Sequence, residues 1–269
     1  MVNEIWLDRI PLTVLFILTV GLVLGAITVG IRLGALRKKR LGNEPEGPVG
    51  SVAGAVLGLL AFLLAFTFSI ASSRFDTRKQ LLLDEVNAIR TAALRADLLP
   101  EPHRTQCRDQ IRKYVDVRLT VIRGSQDVEK ILAESEAAHH ELWSHAVSLA
   151  KADMNSDIGA LFVESLNQVI ELHNSRKTVA LQYRVPPRVW TGLLVLTLLS
   201  MGIVGYQFGL SGRGDLLVNL TMAITFAIVF DLIVRLDRPA GGMMVDPRPM
   251  IQLREALGQA QSPAGSLPS

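Results

Sequence analysis

The stretch Phe62–Asp76, FLLAFTFSIASSRFD, carries the end of an uncharged, membrane-length segment directly into charge. Upstream, no Asp, Glu, Lys or Arg occurs from Val49 to Ser73, longer than the roughly 20 apolar residues that cross a bilayer core. Downstream, Arg74 to Leu99 contains no Pro or Gly, and Leu82, Val86, Ile89, Ala93 and Ala96 recur at helical spacing. One helix is therefore expected to leave the membrane and run on into water until Pro100 and Pro102 end it.

Working outward from this helix, the chain repeats the membrane signal three more times. Ile10–Ile31 and Val189–Gly212 are uncharged. A fourth window opens at Leu216 and continues to about Leu236, interrupted by Asp231 and Arg235. With 49% hydrophobic residues in 269 and a net charge of +3, the chain is neither an ordinary soluble domain nor a disordered one. The first window lacks a basic leader and a small-residue cleavage site, so it is expected to remain as a helix.

Between the second and third windows, Arg74–Arg188 holds 17 basic and 16 acidic residues and is expected to sit in water. Ile111, Tyr114, Val115, Arg118, Leu119 and Ile122 mark one amphipathic helix there, stopping near Gly124. Val128, Ile131, Leu132, Ser135, Leu142, Ala146 and Leu149 mark a second; Leu161, Ser165, Val169, Leu172 and Val179 mark a third. Trp143, beside Leu142, is expected in their core. The chain thus reads as an all-α membrane protein with four transmembrane helices and an inserted aqueous helical bundle. Residues 10–73 and 189–236 form the membrane part, 74–188 the bundle, and 237–269 a tail disordered from about Gln261. Arg37–Arg40 pull one face toward the cytoplasm, but twelve basic residues flank the other face against six, so the termini and bundle are expected in the cytoplasm.

The phenylalanines of the opening stretch admit two readings. Phe62 and Phe66 stand four residues apart and project from nearly the same face, with Gly54 and Gly58 above Phe62. Such glycines let a second helix approach closely, with the aromatic rings packed in the same seam. Alternatively, copies of this helix line an axis, wide at glycine and narrowed by the rings.

Phe62, Phe66, Arg74 and Phe75 fall at the spacing of the bestrophin channel pattern F-V-L-G-F followed by an Arg-aromatic pair, and the stretch resembles it. More widely, NEPEGPVGSVAGAVLGLLAFLLAF, LLLDEVNAIRTAALRADLLP, LHNSR and LDRPAGGMMVDP resemble the bacterial bestrophin-like domain family, over most of the chain to about Pro249. The resemblance implies a bestrophin-like homo-oligomer, most simply a pentamer, in the bacterial inner membrane. It implies a pore for small anions with a hydrophobic neck at Phe62 and Phe66. Two departures are visible. The third neck position falls on Gly58, so the neck is shorter or completed by Leu59. Pro239-Ala240-Gly241 lacks the acidic run of calcium-gated members, leaving calcium control unsupported. Arg74, Arg78 and Lys79 would gather anions at the pore mouth if they face the axis.

Asp231 and Arg235 have the i, i+4 order of a helical ion pair and read either as an interfacial pair or as an ion relay. His139, His140, His145 and His173 lack metal-ligand spacing, even with Glu141 near His145, and no metal or cofactor is expected. No phosphate loop, nucleophile elbow or carboxylate pair argues for an enzyme, and the expected partners are lipid, small anions and other copies of the chain, not nucleic acid. The alternative is a docking or sensory module held at the membrane, with no channel activity.

Overall fold

The computed structural model describes residues 10–41, 49–122, 128–153, 155–212, 214–238 and 242–259. Gly124, Pro239–Gly241 and the tail from Gln261 lie outside them. Every regular element among the described residues is a helix: α1 (Leu12–Leu41), α2 (Val49–Ala96), α3 (His103–Ile122), α4 (Val128–Ala152), α5 (Asp157–Leu181), α6 (Pro187–Ser211), α7 (Leu216–Asp237) and α8 (Arg248–Gln259). Four of these, α1, α2, α6 and α7, are long and apolar enough to cross a membrane. At 48 residues α2 is about 72 Å long at 1.5 Å per residue, more than twice a ~30 Å hydrocarbon core.

The chain divides into two compact units, residues 1–75 with 183–243 and residues 76–182 with 244–269. In the first unit, Leu15, Val23, Ile27, Leu60, Leu64, Ala71, Leu193, Met201 and Ile233 build the core, and Trp190 meets Phe230 edge to face at 5.3 Å. Hydroxyls within the apolar helices bond back to their own turns. Thr19 donates to Leu15 O at 2.9 Å, Thr67 to Leu63 O at 2.7 Å and Thr197 to Leu193 O at 2.7 Å. The tightest seam runs between α1 and α6. A Cβ added to Gly30 would overlap the carbonyl oxygen of Gly202, one on Gly34 that of Tyr206, one on Gly205 that of Ile27, and one on Gly209 that of Ile31. Backbone therefore touches backbone here, the small-residue contact that holds membrane helices together without a hydrophobic driving force.

The helix ends of this unit account for much of the LDRPAGG motif. Asp237 is buried at the foot of α7 and accepts from Val185 N at 2.9 Å and Arg184 Nη2 at 3.2 Å, which pins the approach to α6. Arg238 donates to Ile10 O at 2.9 Å. Gly242 lies so near Arg238 that a Cβ would stand 2.7 Å from its carbonyl oxygen, and Met243 N donates to Arg235 O at 2.8 Å. At the far end, Gly212 closes α6 with φ 71°, and Asp215 caps α7 by accepting from Leu217 N at 2.8 Å.

In the second unit the aqueous part of α2 packs with α3, α4, α5 and α8 around Leu82, Val86, Ile89, Ala96, Ile111, Leu119, Leu142, Phe162 and Leu166. The helix α8 is not expected from the sequence pattern. It buries Met250 and Leu253, Arg254 forks onto Asp116 at 2.5 and 3.1 Å, and Arg112 donates to Leu257 O at its C-terminal end. Trp143 departs from expectation and is 37% exposed. The buried stripe of α4 passes through Ile131, Ser135, His139, Leu142 and Ala146, and adjacent residues on a helix stand about 100° apart, which turns Trp143 away from Leu142.

Candidate functional site

Within the membrane unit, α2 presents two unlike faces. Leu60, Leu64, Thr67 and Ala71 enter the core, whereas Phe62 and Phe66 remain 64% and 58% exposed. Their rings are stacked, with centroids 6.4 Å apart and planes inclined by 14°. Above them Leu59 is also exposed, and a Cβ on Gly54 or Gly58 would meet nothing within 4 Å. Among the described residues these glycines thus serve no helix contact; that role belongs to the α1–α6 seam. The result is an uncovered strip, small at one end and aromatic at the other.

At about 100° per residue, the exposed Ser69 and Ser73 continue the Phe62 face to within about 20°, while Arg74 turns about 120° away. Arg78 is half-buried in the aqueous unit, and the exposed Lys79 pairs with Asp76 at 3.5 Å. Asp231 and Arg235 form a 2.5 Å pair on α7, with the carboxylate much less exposed than the guanidinium. The geometry joins Phe62, Phe66, Leu59 and Gly58 on one strip, and does not place Arg74, Asp231 or Arg235 with them.

A second polar arrangement lies in the aqueous unit, and sequence reasoning does not find it as a site. Glu85, on α2 between Leu82 and Ile89, has no exposed surface. It pairs with Arg118 of α3 at 3.2 Å and with Arg176 of α5. Tyr114 donates its hydroxyl to Glu85 Oε1 at 2.7 Å, so its oxygen is left to accept from His173 Nδ1 at 3.3 Å. That assignment puts the His173 hydrogen on Nδ1. His139 stacks obliquely on Tyr114 at 4.6 Å and meets His173 edge to face at 4.8 Å. Burial pushes the Tyr114 phenol up to about 12 and the Arg176 guanidinium down to about 10. Burial, reinforced by the nearby Arg118 charge, pulls His139 down to about 4 and His173 down to about 3.

Both imidazoles are therefore neutral in the folded bundle at pH 7, with a stability consequence. Below about pH 6.5 the unfolded chain takes up protons that the folded chain refuses until about pH 4 at His139 and about pH 3 at His173. Stability is thus present above pH 6.5 and lost as the pH falls through that window, each residue costing about 1.4 kcal/mol for every pH unit crossed. Thermal melting of the purified protein should show a fall in midpoint from pH 7 to pH 4.5 that is shallower in His173→Gln. An unchanged slope in that variant would contradict the assignment.

Among the described residues, no group of three or more His, Cys, Asp or Glu is placed to hold a metal. Cys107 is buried, and burial pushes its thiol up to about 12, so it is an inert core residue.

The family model of the bestrophin-like domain matches residues 12–250, nearly the whole described chain. The chain belongs to the bestrophin-like family. Solved structures agree in fold. Three crystal structures of variants of a bacterial bestrophin homologue from Klebsiella pneumoniae superpose on it with TM-scores of 0.65, 0.68 and 0.64 at 17%, 16% and 18% identity. They cover 93%, 91% and 91% of this chain, which covers 99%, 98% and 94% of theirs. No curated protein matches it. This bestrophin-like protein accordingly shares the bestrophin fold, with four helices long and apolar enough to cross a membrane.

Proposed function

We propose that the protein is a homo-oligomeric pore of the bacterial inner membrane that passes small anions. Copies of α2 stand nearest the axis, Phe62 and Phe66 form a hydrophobic neck, and Gly58 and Leu59 form its approach. The observation that carries this reading is the uncovered strip of α2, whose opposite face is buried in the core while the two stacked phenylalanines project outward. A ring of such side chains narrows a pore and gates it by dewetting. In this reading the assembly is a pentamer, Arg74, Arg78 and Lys79 raise the local anion concentration around the mouth, and the bundle faces the cytoplasm. Asp231 and Arg235 then act as an interfacial pair on α7 rather than in the conduction path.

The assembly is tested by native mass spectrometry in mild detergent together with disulfide trapping. A Ser69→Cys variant, whose residue continues the neck face, should oxidise to linked subunits within an intact oligomer; the native Cys107 is buried and does not interfere. A protein that stays monomeric across mild detergents would favour the membrane-anchored docking or sensory module instead.

A further inference from the structure

The buried network of the aqueous bundle is not electrically balanced. One carboxylate, Glu85, faces two guanidiniums, the buried Arg118 and the partly exposed Arg176, so the cluster carries one positive charge in excess. The neighbouring charges do not offset it: Lys177 of α5 and Glu136 of α4 pair with each other at 2.7 Å on the surface. The mismatch concentrates on Arg118, which is 5% exposed. Its Nε stands 3.2 Å from Glu85 Oε1 but off the hydrogen-bond line, and is buried with no hydrogen-bond partner among the described residues. Beside it, His139 Nε2 and His173 Nε2 are also buried without a hydrogen-bond partner among the described residues. Buried guanidinium groups are ordinarily saturated with acceptors, because an unmet donor in a low-dielectric interior keeps its full desolvation cost.

We infer that Arg118 holds a small inorganic monovalent anion, of halide type, within the α3–α4–α5 bundle, with His139 and His173 beside it. A guanidinium supplies charge and directed N–H groups to such an ion. The ion completes the charge balance that Glu85 leaves open. A neutral His139 can turn a ring N–H toward it. On His173, the Tyr114 contact leaves Nε2 as an acceptor, so His173 borders the ion without donating to it. This site is separate from the proposed neck, lies in the aqueous unit, and does not depend on whether the protein conducts.

The test is thermal melting of the full-length oligomer in detergent at pH 7.5 and constant ionic strength, with sodium bromide or chloride titrated against sodium gluconate. Wild type should gain a saturable rise in midpoint with halide, and Arg118→Gln should lose it. Glu85→Gln removes the carboxylate that repels the ion; it should be weakened in gluconate and show a larger halide rescue than wild type. That variant keeps the inference testable if Arg118→Gln does not fold. Phe62→Ala/Phe66→Ala should retain the wild-type halide response, separating this site from the neck. Absence of any saturable halide effect in wild type would overturn the inference. So would an undiminished effect in Arg118→Gln, no enlarged rescue in Glu85→Gln, or an effect abolished by the neck variant.

Discussion

Glu85→Ala should destabilise the aqueous bundle by about 3–5 kcal/mol, the cost of breaking a buried ion pair by removing one partner. The residue is fully buried, and three groups from two other helices converge on it: Arg118 and Tyr114 of α3 and Arg176 of α5. Its removal leaves the Tyr114 phenol and the Arg176 guanidinium without their acceptor and the buried Arg118 without its counter-charge. The loss should appear in denaturant titration and, residue by residue, as faster amide exchange in α3 and α5. Exposed pairs provide the contrast. Removing Glu136, which meets Lys177 at the surface, should cost less than about 1 kcal/mol. Equal effects at Glu85 and Glu136 would remove the network from the account.

A second large effect is expected in the membrane unit, where Gly205→Leu should abolish accumulation of folded protein and Gly205→Ala should already weaken it. A Cβ at Gly205 would overlap the Ile27 carbonyl oxygen and stand 2.8 Å from Ile27 C and 2.9 Å from Ile27 Cα. Those atoms are backbone and cannot rotate aside, so α1 and α6 must separate, taking the contacts of Gly30, Gly34 and Gly209 with them. The cost should lie at or beyond the upper end of the ~1–3 kcal/mol typical of overpacking. Gly58→Ala, by contrast, meets nothing within 4 Å among the described residues. It should leave the subunit's own fold unchanged, so any weakening it causes must come from contacts between subunits. Detergent melting and gel filtration of the variants separate the two cases.

That contrast also shows where the sequence is informative. The length of α2 is legible because one period of apolar residues runs without Pro or Gly from the membrane into water, and the fourth span is legible despite Asp231 because Arg235 follows it one turn later. Gly54 and Gly58 attract attention by their spacing, yet the helix seam is built from Gly30 and Gly34 of one helix and Gly205 and Gly209 of another. Matching glycines on helices some 170 residues apart is a tertiary fact that no local spacing reveals. The buried network had a sequence signal. Arg118 lies on the apolar stripe of α3, and a charged residue there requires a buried partner, but the choice of Glu85 needs the bundle assembled. On α5 the expected Ser165 and Val169 are buried, but the face is completed by Phe162, Leu166 and His173 rather than by the expected Leu161 and Leu172, which concealed His173 as a core residue. Helix α8 escaped because its apolar signal is short: Met250 and Leu253 are only one turn, after a Pro-rich lead.

The proposed pore stands or falls on the strip that Phe62 and Phe66 form, and the most direct measurement is anion flux in liposomes holding equal amounts of intact oligomer. If the two rings are a dewetting constriction, Phe62→Ala/Phe66→Ala should raise the flux or release its gating, since the apolar barrier is removed while residues 64% and 58% exposed within the chain leave little cavity behind. Phe68→Ala, on a different face of α2, should change the flux little, and Arg74→Glu should lower anion preference. An intact oligomer whose anion flux is the same with and without the Phe62 and Phe66 rings would contradict the neck.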